Sequence, residues 1–231
     1  MTISDISTIR VNVWKDMDTD SVGGKTIALG AGATNNGPGT DLGLVTTGAA
    51  NSYAQATGYK PVFTAQGTII FRANFPSGCG GASTPLLAND GGGSPFLGFQ
   101  GQYFIVNNNF CLCRSTNTSA VWETIVGTWG PAGLKGYRGG SLAGTNAFTG
   151  TPSTPTFDLT FGALDYNGGK VQNVAMTMDF CAILNRQLSD AEVLDLSTTP
   201  SQLWSGGGGS SVSKQLCKLG SKRSGFARGG L

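Results

Sequence analysis

Residues 180–204, "FCAILNRQLSDAEVLDLSTTPSQLW", differ from the rest of the chain, which is rich in Gly, Thr and Asn. The stretch begins as an apolar strand pattern and continues as a helical one. Ser189 and Glu192 have the S-x-x-E spacing of a capping box, in which each side chain bonds a backbone amide of the first turn. Leu188 and Val193 have the spacing of a hydrophobic staple. The sequence therefore predicts a helix that begins just after Ser189.

This helix is short and needs support from the rest of the fold. Val193, Leu194 and Leu196 are predicted to form its apolar face, and Thr199-Pro200 ends it, because a residue before proline avoids helical geometry. A helix of roughly eight residues is marginal alone, so we expect it to dock on a sheet.

Three segments, the last of which runs into the stretch above, alternate apolar and polar residues with a period of two, which predicts half-buried strands. The predicted inward-facing residues are Ile69, Phe71, Ala73 and Phe75 in "TIIFRANF"; Phe157, Leu159, Phe161 and Ala163 in "FDLTFGAL"; and Val174, Met176, Met178, Phe180, Ala182 and Leu184 in "VAMTMDFCAIL". Turn-rich segments separate them, and no helical pattern lies between strands. The prediction is an all-β, antiparallel two-sheet jelly-roll sandwich with one short C-terminal helix and extended terminal arms.

Composition agrees with this class. Glycine contributes 37 of 231 residues and charged residues only 12%, which suits many turns that join short strands. No stretch is long and apolar enough to predict a membrane span. The five cysteines are odd in number and irregularly spaced, and no secretory signal pattern is visible, so we expect free thiols in a reducing cytoplasm.

The charge is divided unevenly along the chain. Residues 1–204 carry 10 basic and 13 acidic side chains, a net charge of −3, whereas residues 205–231 carry five basic and none acidic. The basic residues of this tail are Lys214, Lys218, Lys222, Arg223 and Arg228. We predict N-terminal arm or edge strands over 1–41, a jelly roll over 42–204, and a Gly-rich linker with a basic arm over 205–231. The tail also has the composition of an engineered linker plus peptide, or of a disordered tail.

The segment "LNRQLSDAEVLDL" resembles the end of laminin-G-like domains of the concanavalin A-like lectin/glucanase superfamily. The matching residues are Asn185, Arg186, Leu188, Ser189, Asp190, Ala191 and Glu192. "FTAQGTIIFRANF" and "VWETIVGTWGPAGLKGYRGGSLAGT" resemble earlier strands of the same domains, although Pro131 stands where the family often has an acid and Gly139-Gly140 replaces the usual Asn-Gly. The resemblance covers roughly residues 42–204 and implies a two-sheet jelly roll. It does not imply one function, since the superfamily includes lectins, glycosidases, adhesion modules and virion proteins.

Catalytic constellations are poorly represented. The chain has no histidine, which excludes His-based triads and His-ligated metals. A retaining glycosidase needs a pair of carboxylates, but Glu192 belongs to the helix cap and Glu123 stands alone on a strand, where we expect an outward-facing residue. We therefore predict no enzymatic activity and no cofactor.

Loop motifs offer weak alternatives. "TDSVGGKT" (19–26) resembles a phosphate loop without its first glycine and without the following helix, and "GAGATNNG" (30–37) is an incomplete dinucleotide motif. The alternation of Asp16, Asp18 and Asp20 is like the start of a calcium loop but lacks the Gly and Glu of an EF-hand. Some laminin-G-like domains bind calcium, and Asp90 in "LANDGGG" is the nearest candidate here. Cys111 and Cys113 lie on one strand face and are predicted to be buried small hydrophobes rather than metal ligands.

An exposed aromatic ring beside loop amides is the usual pattern of a sugar site. Trp129, Tyr137 and Tyr103 are the candidates for this role, with core packing as the alternative for each.

Three hypotheses about function result. The leading hypothesis is a non-enzymatic virion protein, a capsid or tail surface subunit of a tailed bacteriophage, located in the virion. Its basic arm would dock on acidic neighbouring subunits in a homo-oligomer and its loops would touch host polysaccharide; binding to nucleic acid or a membrane is not expected. The alternative is a carbohydrate-binding, lectin-like module of a cell, and a glycoside hydrolase that uses Glu123 comes third.

Overall fold

The computed structural model describes residues 3–36, 43–76, 83–89, 95–113, 121–167 and 169–205. Their strands are β1 (Arg10–Lys15), β2 (Ile27–Leu29), β3 (Ala33–Asn35), β4 (Leu44–Thr47), β5 (Ala54–Ala56), β6 (Gly67–Asn74), β7 (Leu86–Asn89), β8 (Pro95–Gln100), β9 (Tyr103–Val106), β10 (Asn109–Leu112), β11 (Trp122–Trp129), β12 (Leu134–Arg138), β13 (Ser141–Asn146), β14 (Thr160–Phe161), β15 (Leu164–Tyr166), β16 (Gly169–Val171) and β17 (Ala175–Leu184). Two α-helices, α1 (Ile6–Ile9) and α2 (Asp190–Thr198), and a 3-10 turn, Pro200–Leu203, complete the description.

The strands form two large antiparallel sheets, which confirms the predicted jelly-roll sandwich. The eight-stranded sheet has the order β13-β12-β11-β6-β17-β4-β3, and β1 also pairs with β17. The seven-stranded sheet has the order β10-β9-β8-β7-β14-β5-β2. Strands β15 and β16 form a separate hairpin. The main core lies between the two large sheets, where Phe71, Phe99 and Phe104 meet in consecutive ring contacts.

In strand β17 the set of residues that points into the main core changes halfway along the strand. Met178 lies opposite Ala73 of β6 and Phe180 lies opposite Arg72, so Asp179 is an extra residue, a β-bulge. Before the bulge Met176 and Met178 point into the main core, and after it Cys181 and Ile183 do. The predicted face of six alternating residues is therefore wrong beyond Met178, because one inserted residue reverses the alternation.

Phe180, Ala182 and Leu184 instead face outward, where helix α2 covers them. They belong to a second cluster, the outer cluster, formed by Ile3, Ile6, Ile9, Val13, Ile70, Val126, Tyr137, Phe180, Ala182, Leu184, Leu188, Val193, Leu196 and Leu203. The eight-stranded sheet is thus buried on both faces over part of its area.

Helix α2 has the predicted start and end. The Ser189 side chain accepts a hydrogen bond from the Glu192 amide, the Glu192 side chain accepts one from the Ser189 amide, and the helix ends at Thr198. Val193 and Leu196 are buried, but Leu194 is 51% exposed and does not belong to the apolar face as predicted. Among the described residues, no helix combines the length and apolarity that crossing a membrane requires.

The described N-terminal residues contact the sandwich. Strand β1 pairs with β17 along Arg10–Lys15. The Ile3 amide donates to Gln202 Oε1 at 3.1 Å, and Arg10 Nη1 donates to the Leu203 carbonyl at 2.7 Å. These bonds tie the beginning of the described chain to its end.

The strand predicted in "FDLTFGAL" is shorter than the alternation suggests. Only Thr160–Phe161 pair with neighbouring strands, β5 and β7. Gly162 has a φ of +78°, which turns the chain away before it continues as β15.

Candidate functional site

Two of the three aromatic residues that the sequence offers for sugar binding are buried. Trp129 is 1% exposed and donates its indole N–H to the Thr64 carbonyl at 2.9 Å. Tyr137 is fully buried in the outer cluster and donates its hydroxyl to Asp190 Oδ1 at 2.9 Å, and burial raises its pKa. Neither ring faces solvent, so the sugar-platform prediction is corrected for both: they are core residues.

Tyr103, the third candidate, is exposed. The residue is 44% exposed, and its ring meets the ring of Phe110, a residue that is 47% exposed, at a right angle with 6.0 Å between centroids. Sequence reasoning missed Phe110, because only the pairing of β9 with β10 brings the two rings together.

Glu123 does not face outward as predicted. Its side chain is 3% exposed and lies 2.7 Å from Arg138 Nη2. Register places Glu123 beside Ala73, on the face of the eight-stranded sheet that points into the sandwich. The carboxylate therefore lies on the inner face of the sheet in a partly buried ion pair.

The acidic loop after β1 is organised around the Asp20 carboxylate. Asp20 is 2% exposed, and its carboxylate accepts hydrogen bonds from the amides of Val13, Val22 and Gly23 at 2.7–2.9 Å. Asn12 Nδ2 adds a fourth bond at 2.6 Å. Two amides of the phosphate-loop-like segment, those of Val22 and Gly23, thus already bind a carboxylate of the chain itself rather than a phosphate.

The two neighbouring cysteines of β10 and its end, both free thiols, are buried as predicted. Cys111 and Cys113 are each 1% exposed, and burial raises the pKa of Cys111 to about 11. Among the described residues, no three His, Cys, Asp or Glu side chains lie where they could share a metal ion.

Two sets of predicted residues lie outside the described part of the chain. These are the calcium candidate Asp90 and the assembly-arm residues Lys214, Lys218, Lys222, Arg223 and Arg228. The predictions made for them stay predictions.

A polar cleft lies on the outer face of the eight-stranded sheet, and we call it the Trp204 cleft. Its volume is about 330 Å³. It is lined by Lys15, Asp16, Arg72, Asp179, Thr198, Thr199, Pro200, Ser201 and Trp204.

The floor of the Trp204 cleft is a row across three strands. Lys15 of β1 lies opposite Phe180 of β17, which in turn lies opposite Arg72 of β6. Their sequence neighbours Trp14, Cys181 and Phe71 point into the main core, so this row points outward.

The end of helix α2 forms the wall. The Trp204 ring packs against Phe180 with 5.5 Å between centroids, and Lys15 Nζ lies 5.8 Å from the centre of the same ring. Thr198, Thr199 and Ser201, all exposed, bring hydroxyl groups to the rim. Residues 180–204, the stretch that contains helix α2, therefore also contribute most of the residues that line this cleft.

An ion pair crosses the floor. Arg72 Nη1 lies 3.0 Å from Asp179 Oδ2, with the two side chains 38% and 18% exposed. The Arg72 guanidinium also stacks over the Trp122 ring at 5.0 Å, which holds it in place. Because Asp179 is the bulge residue, its side chain departs from the regular alternation and reaches Arg72.

Two consecutive residues at the edge of the cleft have a strained backbone. Asp16 has a φ of +57° and Met17 a φ of +50°, in the left-handed region that non-glycine residues rarely adopt. Strain of this kind concentrates at functional sites, where the surrounding structure must hold it. The arrangement offers one indole ring, two cations, two carboxylates and several hydroxyls within one concavity.

Comparisons with known proteins show the fold. The structure of the botulinum neurotoxin type G receptor binding domain is similar, with a TM-score of 0.58 and 15% identity over 83% of this chain and 51% of that one. The binding domain of botulinum neurotoxin DC in complex with SialylT has a TM-score of 0.60 and 12% identity over 84% of this chain and 51% of that one.

A mutant of Trypanosoma rangeli sialidase that displays trans-sialidase activity has a TM-score of 0.61 and 13% identity, over 85% of this chain and 34% of that one. This chain thus spans about half of the two toxin domains and a third of the sialidase. No protein-family model and no curated protein sequence matches it. At these identities the likeness establishes a β-sandwich of the jelly-roll type.

Proposed function

We propose that this chain is a carbohydrate-binding module without catalytic activity, which holds a neutral glycan in the Trp204 cleft. The observation that carries the proposal is the Trp204 ring beside the Arg72–Asp179 ion pair in one concavity of about 330 Å³. Membership of the laminin-G-like group is part of the same proposal.

The chemistry of the cleft matches a sugar ring. The C–H face of a pyranose packs on an indole, and vicinal hydroxyls donate to a carboxylate while they accept from a guanidinium. Asp179 and Arg72 supply these two groups side by side, and both remain partly exposed. A small number of placed polar groups around an apolar wall is the usual composition of a ligand pocket.

Charge favours a neutral ligand. Lys15 and Arg72 are balanced by Asp16 and Asp179, with Lys15 Nζ 3.9 Å from Asp16 Oδ2. The C-terminal end of α2, which also lines the cleft, carries the partial negative charge of its carbonyl groups. A carboxylate-bearing sugar would meet that negative end and would compete with Asp179 for Arg72.

The structural neighbours support carbohydrate binding over the virion hypothesis. One of them is described in complex with SialylT and another is a sialidase, so proteins that contain this fold act on or bind sugars. The virion hypothesis depends on the basic arm, which lies outside the described residues. It keeps its own test: deletion of residues 205–231 should abolish incorporation into particles, and normal incorporation would refute it.

Glycan binding can be tested with the purified chain on an array of neutral and acidic glycans, followed by titration calorimetry of each hit. Arg72→Gln and Asp179→Asn should each weaken binding about 10-fold or more, since a charge-assisted hydrogen bond contributes about 1.5–3 kcal/mol. Lys135→Gln is the matched control, because it removes another surface ion pair, to Asp190, on the same sheet away from the cleft. An array without any bound glycan, or equal losses in all three variants, would refute the proposal.

The absence of catalysis needs a separate measurement. Each bound glycan should be recovered unchanged after prolonged incubation with the chain, as judged by chromatography. Product release that is lost in Asp179→Asn would instead show that the cleft is an active site.

A further inference from the structure

We infer that the opposite outer face of the sandwich carries a second glycan-binding surface, formed by Tyr103, Phe110, Gln100 and Gln172, and that the chain is bivalent. We call this surface the Tyr103 platform. The inference rests on the proposed function, because it assigns a second site for the same class of ligand.

Strand register places the platform on the outside of the seven-stranded sheet. Gln100 of β8 lies opposite Tyr103 of β9. The adjacent pair, Phe99 and Phe104, points into the main core, where the two rings lie 5.1 Å apart. Because side chains alternate along a strand, Gln100 and Tyr103 point to solvent on the other side. Phe110 shares this face, since its neighbour Cys111 points inward.

The two rings provide apolar area that the fold itself leaves uncovered. Tyr103 and Phe110 are nearly half exposed and stand at 88° to each other, so one presents its face where the other presents its edge. Ile105 lies beside them on the same face, opposite Phe110 and two residues after Tyr103, and it is completely buried. Two adjacent exposed aromatic rings on a regular sheet form a platform on which a sugar ring can stack.

A network of amides borders the rings. Gln172 Oε1 accepts hydrogen bonds from Gln100 Nε2 at 2.6 Å and from the buried Thr84 hydroxyl at 3.1 Å. These bonds fix the Gln172 amide with its oxygen toward the protein. Among the described residues its two N–H groups have no partner, so they are available to hydroxyl oxygens of a ligand.

The backbone at Gln172 is strained in a way that supports the network. Its φ is +53°, in the left-handed region, and its carbonyl accepts from the Thr84 amide at 3.0 Å. A glutamine held in this conformation and bonded to Gln100, which lies opposite Tyr103, is an outlier that points to a role for its side chain.

The side chains of the Tyr103 platform are uncharged, and its surface is open rather than enclosed. It therefore fits a neutral oligosaccharide chain that lies across the sheet better than an isolated acidic sugar. The Trp204 cleft lies on the outer face of the other sheet, so the sandwich separates the two sites. One chain can then hold two glycan strands at once, which raises avidity for a multivalent surface without oligomerisation.

The experiment is calorimetric titration of the full chain with neutral hexasaccharides of β-1,4-linked glucose, β-1,4-linked mannose and α-1,4-linked glucose. The expected stoichiometry is two per chain for at least one of them. Tyr103→Ala and Phe110→Ala should each reduce it to one and leave the affinity of the remaining site within twofold. Tyr166→Ala is the matched control, since Tyr166 is 46% exposed on the β15–β16 hairpin, and it should keep both sites.

The outcomes separate this inference from the proposed function. One site per chain that Arg72→Gln removes and Tyr103→Ala leaves intact would overturn the platform and retain the cleft. Binding that only Tyr103→Ala removes would retain the platform and refute the cleft. No binding of any hexasaccharide would overturn both, and a Tyr103-dependent dimer in sedimentation velocity without sugar would show that the rings are a self-association surface.

Discussion

The ring of Phe104, from the seven-stranded sheet, lies directly over the backbone of Gly127 in the eight-stranded sheet. A Cβ atom at Gly127 would stand 2.3 Å from Phe104 Cδ2, well inside van der Waals contact. Gly127→Ala should therefore destabilise the chain by about 1–3 kcal/mol, the usual cost of overpacking a core, as measured by urea unfolding.

Gly169→Ala is the control for this substitution. Gly169 lies on the exposed strand β16, where the nearest atom to a new Cβ, the Tyr166 carbonyl oxygen, is 3.4 Å away. Its effect on the urea midpoint should be small. Equal stability of the two variants would mean that the sheets can separate at Gly127 without cost.

Asp20 should be a major determinant of stability. Asp20→Ala would leave the buried amide of Val13 and the partly buried amides of Val22 and Gly23 without their acceptor, a loss on the order of 3 kcal/mol. Thermal unfolding measures the effect, and Asp18→Ala, at an exposed position of the same loop, should change little. If calcium restored the stability of the Asp20→Ala variant, the loop would be a cation site after all.

The start of helix α2 should weaken in acid. The hydrogen bonds from Arg186 lower the pKa of Glu192 from its ordinary 4.5 to about 2. Since the pKa is depressed in the folded state, the stabilisation is complete above about pH 4.5 and is lost as the pH falls toward 2.

Glu192→Gln isolates this contribution. The variant should be about 1 kcal/mol less stable than the parent at pH 7, and the difference should shrink at pH 3, as measured by urea unfolding at both pH values. A difference that is constant with pH would show that the Glu192 charge does not contribute.

The buried thiols should resist alkylation. Burial raises the pKa of Cys111 to about 11 and also raises that of the fully buried Cys181, so little thiolate forms near pH 8. Iodoacetamide should leave both residues unlabelled in the native chain and label both in urea, as measured by peptide mass spectrometry. Rapid native labelling of Cys111 would indicate that the β9–β10 edge opens.

Local sequence signals predicted the helix well, because its determinants lie within a few residues of one another. Ser189, Glu192 and Thr199-Pro200 act at fixed short spacings, and the structure has the capping box and the end where they indicate. The prediction that Leu194 belongs to the apolar face was wrong, because the direction in which a short helix docks depends on its partner. The predicted alternation past Met178 was wrong, because a bulge leaves no signal in one sequence.

The candidate sites were only partly predictable for a similar reason. The sequence offered Trp129 as a candidate and not Trp204, but Trp129 is buried and Trp204 is partly exposed, and burial is set by strands far away in the chain. Lys15, Arg72 and Asp179 meet only through the pairing of three strands. Tyr103 was identifiable as a candidate, whereas its partners Phe110 and Gln172 required the register.

The bulge at Asp179 has a consequence for sequence comparison. In a relative whose corresponding strand has no bulge, every second residue would point inward along the whole strand. Here the inward-pointing residues change from even-numbered to odd-numbered positions at Asp179. An alignment without a gap would then match Phe180, which supports the Trp204 ring, to an interior residue of the relative. Relatives of this chain are best sought with a one-residue gap allowed beside Asp179, and those that retain the extra residue are the ones in which an acidic group can reach Arg72.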